Sequence, residues 1–512
     1  MYDLTRDQLA QLARSRPDLG ALMERGMGAV MAHLLEMERQ HRVVQERLQD
    51  RRPVVPNSRN SHTPPSLDPR PKPRSRRKRS GKKSGGQPGH PGHFLEPVAK
   101  PDVVVVHPVT TCGHCATDLR QQPIVSMTTH QVFDLPKIAL EVTEHQCESR
   151  RCPDCQQISA AEPPKGASQP TQYGVRIAGL AIYLTIGHFV PVARTCELIR
   201  MLTGTKPSQG WVLTCQKRLS RQLDPFMECT KRGLQLAASV CCDETGIRFL
   251  GARHWLHVCC TAMLTFLLVS RFRGARGTAE LGILGTGPGI AIHDNLQSYF
   301  TFSNDHGLCN AHHQRELIYV HEQMGQAWAK RMIRVLLDGK KLKEHYHPLG
   351  KLVPPLLIDR IHRRYRLALA AGYEVNPRPP PPRRKKRGRP YRGKALSLLD
   401  RLRDREKEAL LFLDDPEVPW ENNQAERDLR MAKVQQKVSG GFRTESGAVV
   451  FARCRSYFDT MRKQKHDLMD GILSGLNGKP WMPEITRAGR RKFPSSHHGL
   501  KLTQSVKAAL AS

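Results

Sequence analysis

The chain has 512 residues, of which 39% are hydrophobic, enough for roughly two to four domains with cores of their own. Its 81 Lys and Arg residues against 47 Asp and Glu residues give a formal net charge of +34, an excess that favours nucleic acid as a partner. No apolar run reaches the roughly 20 residues of a membrane-spanning helix, and the first residues lack the apolar core of a secretory signal. We therefore expect a cytoplasmic protein that lies with the nucleoid and does not associate with membranes.

The N-terminal part divides into a helical and a basic segment. Residues 1–50 have helical periodicity, and from Met27 the apolar spacing is typical of a short coiled coil or of an amphipathic helix packed on its own protein. Residues 51–97 are rich in Pro, Ser, Gly and Arg, which predicts a disordered linker. Its basic run favours non-specific phosphate contact over a merely solvated linker. The side chains that we expect to contact DNA here are Arg76, Arg77, Lys78, Arg79, Lys82 and Lys83.

Residues 98–165 contain two Cys-x-x-Cys pairs and strand-like stretches at Val103–His107 and Gln131–Glu144. Two such pairs suit a tetrahedral structural Zn²⁺ site, which would fold the module and leave no open position for catalysis. His145 and Cys147 lie close in sequence and could replace one ligand, and four unrelated reduced cysteines are the alternative. The predicted zinc ligands are Cys112, Cys115, Cys152 and Cys155.

Residues 170–235 are predicted to be helical, with helices at Val175–Phe189, Val192–Leu202 and Gln209–Leu223. The turn at Gly204–Ser208 makes the last two helices compatible with a DNA-binding helix-turn-helix. An ordinary helical hairpin would give the same pattern.

From Ala238 the apolar pattern changes to that of β-strands. The predicted strands are Ser239–Asp243, Gly246–Leu250, His254–Cys260, Leu264–Ser270 and Gly289–Asp294. Helices then dominate to about residue 475, apart from a basic, Pro-rich segment at 376–394. The tail that follows is basic.

Asp243 and Asp294 each end an apolar run. If the two strands are neighbours, these carboxylates converge at one edge of the sheet, where they could hold divalent metal ions. Taken alone, each aspartate could as well be a turn residue or a helix cap.

The segment 421–443 predicts a helix that begins at Asn422 or Asn423 and ends before Gly440. One side of this helix is an apolar stripe of Ala425, Leu429 and Ala432. The neighbouring face would place a metal ligand beside phosphate-binding cations, or would be a salt-bridged face in solvent. Its charged residues are Glu426, Arg430, Lys433 and Lys437.

Several motifs resemble the insertion sequence 66 family of bacterial transposases, over roughly residues 50–475 and in the same order. They are CCDETGIRFLGARHWLHV, IAIHDNLQSYF, LCNAHHQREL and WENNQAERDLRMAKVQQKVSGGFRTESGA. The two Cys-x-x-Cys pairs resemble the zinc-finger module of that family, and the linker resembles its N-terminal region.

The resemblance implies an RNase H-like catalytic domain with an Asp-Asp-Glu triad that binds Mg²⁺ or Mn²⁺. By motif match the triad is Asp243, Asp294 and Glu426, with Glu316 and Glu421 as rivals for the third acid. The long interval before Glu426 indicates an insertion at about 311–415. Cys309 and His312 match the CNAH stretch of the family, and we expect a structural or substrate-positioning role for them.

The expected fold class is multidomain α+β, with an RNase H-like α/β core and a helical insertion. The expected domains are an N-terminal helical or coiled-coil segment (1–50), a basic linker (51–97), a zinc-finger module (98–165), a helical DNA-binding domain (170–235), the catalytic domain (236–470) and a basic tail (471–512).

The expected function is metal-dependent DNA strand cleavage and strand transfer at the ends of an insertion sequence. The expected partners are element-end and target DNA, further copies of the chain in a synaptic complex, and accessory proteins from the same element. A DNA-binding regulator or a DNA-bridging protein with a degenerate catalytic domain is the alternative.

Overall fold

The computed structural model describes residues 95–485, except 137, 165, 168 and 379–392, together with a few isolated positions nearer the N-terminus. The predictions for the helix at 1–50, for the linker cations from Arg76 to Lys83 and for the tail beyond residue 485 lie outside the described residues.

The segment that follows residue 95 contains one short antiparallel pair, β1 (Ser149–Arg151) and β2 (Ile158–Ala160). The strands predicted at 103–107 and 131–144 are wrong, because the described residues of both stretches lack a neighbouring strand. Most of their apolar side chains are exposed, and Val132 is 90% exposed. β-Branched residues favour an extended chain, but a strand also needs a partner for its backbone hydrogen bonds.

The predicted helical domain is confirmed as helical. A π-helical turn (Tyr183–Gly187) continues the first helix, and Gly204, with a φ of 79°, ends the second. The next helix begins where the Ser208 hydroxyl accepts a hydrogen bond from the Trp211 amide, an ordinary N-cap. The helices are α1 (Val175–Ile182), α2 (Val192–Thr203), α3 (Gln209–Gln222) and α4 (Asp224–Gln235).

A mixed five-stranded sheet follows. Its strands are β3 (Ser239–Phe249), β4 (Ala252–Cys260), β5 (Thr265–Ser270), β6 (Ile290–His293) and β7 (His306–Leu308). They lie in the order β5-β4-β3-β6-β7. The first three strands along the chain are antiparallel neighbours, whereas β6 runs parallel to β3 and β7 parallel to β6.

The prediction of two strands between Ser239 and Leu250 is wrong, because β3 pairs with β4 without a break from Cys241 to Phe249. The polar Glu244 and Thr245 resemble a turn in sequence, but they continue the strand. Asp243 therefore lies within β3 and not at its end.

The remaining chain is helical, as predicted. One short helix, α5 (Ala275–Glu280), precedes β6. The predicted insertion at about 311–415 corresponds to α6 (Asn310–Met324), α7 (Ala327–Tyr346), α8 (Pro355–Val375), α9 (Lys394–Asp404) and α10 (Glu406–Asp414). The last helices are α11 (Asn423–Ser439), α12 (Glu445–Lys463) and α13 (Leu468–Leu476). In the part of the chain that the structure describes, no helix has the length and apolar character needed to span a membrane.

Helix α12 covers the outer edge of the sheet with hydroxyl groups. The Ser456 hydroxyl accepts a hydrogen bond from the Leu267 amide at 2.9 Å, and the Thr460 hydroxyl accepts one from the Thr265 amide at 3.0 Å. Residues four apart lie on one face of a helix, so both hydroxyls face β5. The edge strand is thereby closed to pairing with another chain.

A buried ion pair joins α11 to α12 beneath this edge. Lys463 Nζ lies 2.8 Å from Asp428 Oδ2, and the two side chains are 10% and 7% exposed. Lys463 also donates to the carbonyls of Thr261 and Leu264, and Asp428 accepts from the Thr265 hydroxyl.

Replacement of Lys463 by Met should leave Asp428 as a buried, unpaired charge and lower the free energy of unfolding by about 3–5 kcal/mol. Urea unfolding followed by circular dichroism measures this change. The double variant Lys463→Met, Asp428→Leu should lose less stability than the single variant. Lys341→Met, which removes an exposed lysine, should cost below about 1 kcal/mol. Wild-type stability in Lys463→Met would contradict this account of the pair.

Candidate active site

The parallel pairing of β3 with β6 brings the two predicted aspartates together. The paired positions include Val240 with Ala291 and Cys241 with Ile292. The same register, continued along both strands, sets Asp243 beside Asp294 on one face of the sheet. Asp243 is half-buried within β3, whereas Asp294 is exposed just after β6.

The electrostatics of Asp243 agree with this proximity. Burial raises the pKa of its carboxyl well above the usual range, and the negative charges of Asp294, Glu244 and Glu426 raise it further. A hydrogen bond of 2.8 Å from the Glu244 amide to Asp243 Oδ1 opposes the shift. All three members of the predicted triad are therefore close enough for their charges to interact.

Glu426 lies in the first turn of α11, and Asn422 fixes this turn against the sheet. Asn422 is the residue before the helix, as predicted, but its side chain does not cap it. The Asn422 side-chain amide instead donates to the carbonyl of Cys242 at 2.8 Å, next to Asp243. Its backbone amide donates to the Cys309 thiol at 3.1 Å. The predicted helix end at Gly440 is confirmed, with a φ of 72°.

Two cationic or polar side chains of α6 face Glu426. Arg315 Nη2 lies 3.4 Å from Glu426 Oε2, and His312 Nε2 lies 3.6 Å from Glu426 Oε1. The second distance is too long for a hydrogen bond, and the buried Glu426 Oε1 has no hydrogen-bond partner among the described residues. Glu426 forms no ion pair with Arg430, the pair expected if this face of the helix were a salt-bridged face in solvent.

Glu316, a rival for the third acid, is paired with Arg401 in the insertion. Glu426 is among the charges that raise the pKa of Asp243, which favours it over Glu316 as the third acid. Glu421 stays a rival.

The Cys309-x-x-His312 motif contacts the first turn of α11 at its start, through Asn422, and at its end, through Glu426. Cys309 is buried and precedes α6, where its thiol accepts the Asn422 amide, while His312 faces Glu426 one turn later. This arrangement agrees with a positioning role for the motif. Arg315 was not predicted, although it follows His312 by three residues in a predicted helix and so shares its face.

The helical insertion holds the chain that leads into α11. Lys343 of α7 donates to the carbonyls of Phe412, Asp415, Pro416 and Val418. The Trp420 indole donates to the carbonyl of Leu336 at 3.2 Å. Burial lowers the pKa of Lys343 to about 8.

The carboxylates offer the hard oxygen ligands that Mg²⁺ and Mn²⁺ prefer, and the partnerless Glu426 Oε1 and the raised pKa of Asp243 both fit a nearby cation. Across the described residues, no three Asp, Glu, His or Cys side chains converge closely enough to hold a metal ion. Glu426 is turned towards His312 and Arg315.

The predicted cations of α11 differ in their surroundings. Arg430 and Lys437 are exposed. Lys433 instead donates to the carbonyl of Gly246 in β3, and burial together with the charge of Arg253 lowers its pKa.

Each predicted zinc pair forms the same tight turn. The Cys112 amide donates to the Thr117 carbonyl and the Cys152 amide to the Gln157 carbonyl, both at 2.8 Å. Backbone hydrogen bonds from Cys155 and Asp154 lower the pKa of Cys152. The two turns do not bring four sulfur atoms together in the described residues.

The family of the chain follows from its similarity to known proteins. Residues 170–450, more than half of the chain, match the model described as Transposase IS66 family. The chain belongs to this transposase family. Residues 15–96 of the transposase match a second model, described as a family of unknown function. None of the curated proteins matches the chain.

Lys343 should make the stability of this transposase depend on pH. Its pKa is about 8 when folded, below the ordinary 10.5, so between these values the unfolded chain binds a proton that the folded chain does not. The free energy of unfolding should therefore rise between pH 8 and 10.5, by at most about 1.4 kcal/mol per pH unit. Urea unfolding across this range should give a smaller rise for Lys343→Met. Lys341→Met keeps Lys343 and should keep the wild-type slope, and equal slopes in all three proteins would refute the assignment.

Proposed function

We propose that this chain is a DDE-type transposase that cuts and joins DNA at the ends of its insertion sequence, with Asp243, Asp294 and Glu426 as the catalytic carboxylates. The observation that carries the proposal is the register of β3 with β6, which sets the two aspartates side by side beneath the first turn of α11. Family membership supports a nuclease and strand-transferase activity.

We further propose that the sheet is RNase H-like. Three antiparallel strands are followed by two parallel strands, and the first strand lies at the centre and carries the first acid. The second acid follows the fourth strand of this sheet, and the third lies on a helix packed against it. This order of elements supports the RNase H-like assignment made from the motifs.

In the proposed reaction, water cleaves a phosphodiester bond at the element end, and the freed 3′-hydroxyl then attacks target DNA. Asp243, Asp294 and Glu426 would hold two Mg²⁺ or Mn²⁺ ions, which would supply charge stabilisation for the attacking and leaving oxygens. Asn422 keeps the first turn of α11 beside Asp243.

His312 and Arg315 keep the Glu426 carboxylate oriented before DNA binds. The exposed Arg430 and Lys437 are proposed to neutralise phosphates near this carboxylate. Lys433 instead donates a hydrogen bond to the Gly246 carbonyl of β3. The DNA-binding role of α2 and α3 and the assembly of copies on two element ends remain parts of the same proposal.

The catalytic assignment predicts that Asp243→Asn, Asp294→Asn and Glu426→Gln each abolish Mg²⁺-dependent cleavage of labelled element-end DNA. Each change removes one negative charge and keeps the size of the side chain, so DNA binding, measured by fluorescence anisotropy, should persist. Glu316→Gln is the matched control, because it alters a rival acid that pairs with Arg401, and it should retain cleavage. Undiminished cleavage in any triad variant would remove that residue from the triad.

We also propose that Cys112, Cys115, Cys152 and Cys155 bind a structural Zn²⁺ ion. The matching backbone hydrogen bonds of the two turns support this assignment, and in each turn the two cysteine side chains lie close enough to interact.

If this is correct, the purified chain should contain one Zn²⁺ ion, and Cys152→Ser should lose it, as measured by elemental analysis. Cys454→Ser alters a buried cysteine of α12 and should keep the zinc. Zinc retained in Cys152→Ser would contradict the ligand set.

A further inference from the structure

Beyond Asp243, β3 continues to Phe249 paired only with β4, and this hairpin carries a group of arginine side chains. Arg248 lies directly opposite Arg253, and Gly246 lies opposite Trp255. Positions two apart on a strand share a face, so Arg248, Arg253 and Trp255 lie on the same face of the hairpin. We call Arg248, Arg253, Trp255 and Arg273 the arginine–tryptophan patch.

Trp255 organises two of these arginines. The guanidinium carbon of Arg253 lies 5.3 Å from the centre of the indole ring, and that of Arg273 lies 4.7 Å from it. Such cation–π contacts restrain the side chains while their N–H donors remain available. A Cβ atom at Gly246 would lie at an ordinary contact distance, 3.5 Å, from Arg253 Nε, so the Arg253 side chain lies over Gly246.

The patch concentrates positive charge that the neighbouring acid does not balance. Arg248 and Arg253 form a like-charged pair across two strands, which costs stability. Lys433 adds a further cation, whose pKa is lowered by burial and then by the charge of Arg253. Glu244 is 3% exposed and already bonded to Arg273 and the Tyr299 hydroxyl. Among the described residues, Arg253 forms no ion pair with a carboxylate.

The patch lies on the face of the hairpin opposite to Asp243. Gly246 is three residues beyond Asp243 on one strand, about 10 Å away at roughly 3.3 Å per residue, and residues an odd number apart on a strand point to opposite faces. The patch is therefore a basic surface separate from the carboxylates.

We propose that the arginine–tryptophan patch binds the phosphodiester backbone of DNA, with Trp255 holding Arg253 and Arg273 in place. This inference rests on the proposed function in so far as DNA is the substrate. An acidic protein segment is the competing occupant, and the test separates the two.

The test measures the binding of a short labelled duplex of arbitrary sequence by fluorescence anisotropy as a function of salt concentration, in full-length Asp243→Asn protein so that cleavage does not interfere. Each lost phosphate contact lowers the slope of log affinity against log salt by about 0.9. Arg253→Gln should lower the slope by about this amount. Arg360→Gln is the matched control, because it removes an exposed arginine of α8 that does not belong to the patch, and it should leave the slope unchanged. A wild-type slope in Arg253→Gln would overturn the proposal and leave the acidic segment as the candidate occupant.

The role of Trp255 is tested by two substitutions in the same background. Trp255→Leu keeps both arginines but removes the π face that restrains them, so the slope and the affinity should both fall. Trp255→Phe keeps an aromatic face and should restore most of the loss. Equal binding by the Leu and Phe variants would overturn the assigned role of the ring.

Failure of the patch and failure of the catalytic proposal give different results. If Arg253→Gln leaves the salt slope unchanged while the wild-type protein cleaves DNA, the patch proposal alone is refuted. If Arg253→Gln lowers the slope while the wild-type protein does not cleave DNA, the catalytic proposal is refuted and DNA binding by the patch is retained.

Discussion

The hydrogen bond from the Asn422 side chain to the Cys242 carbonyl is the constraint on which the geometry of the site depends. Cys242 immediately precedes Asp243 on β3, and Asn422 immediately precedes the helix of Glu426. The same residue donates its backbone amide to Cys309 at the start of α6. One buried asparagine thus ties a strand and two helices together, and removing a buried hydrogen-bonding partner costs about 1–3 kcal/mol.

The helical insertion supports this arrangement from outside the sheet. Its first helix presents His312 and Arg315 to Glu426, and its second holds the chain before α11 through Lys343. Helices from the long interval between Asp294 and Glu426 therefore contact Glu426 and hold the chain that leads to it. Arg315 lies beside Glu426, and the negative charges of Asp294 and Glu426 raise the pKa of Asp243.

Much of the fold followed from the sequence, because apolar periodicity and glycine positions determine most helices and strands locally. Helices α2, α3 and α11 begin and end close to their predicted residues, and Gly204 and Gly440 end two of them as expected. The strands predicted around Val104 failed, since strand formation depends on a partner that a local pattern does not reveal. The split of β3 failed for the converse reason, because pairing with β4 carries polar residues through the strand.

The family motifs predicted the acidic residues of the candidate site but not the contacts that hold them. The resemblance selected Asp243, Asp294 and Glu426, and the β3–β6 register supports the first two as neighbours. The contacts of Asn422 with Cys242 and of Arg315 with Glu426 join residues far apart in sequence. A single sequence contains no signal for such contacts, and the same holds for Lys433, whose ammonium bonds to the sheet instead of facing outward.

The central claim is that Asp243, Asp294 and Glu426 form one divalent-metal site for DNA cleavage. The most direct measurement is a crystal structure of the protein with Mn²⁺ and element-end DNA, with the metal located by its anomalous scattering. The account predicts anomalous peaks between the carboxylates of Asp243 and Asp294, with Glu426 turned towards them. Peaks at other side chains, with these three carboxylates left without metal, would contradict it.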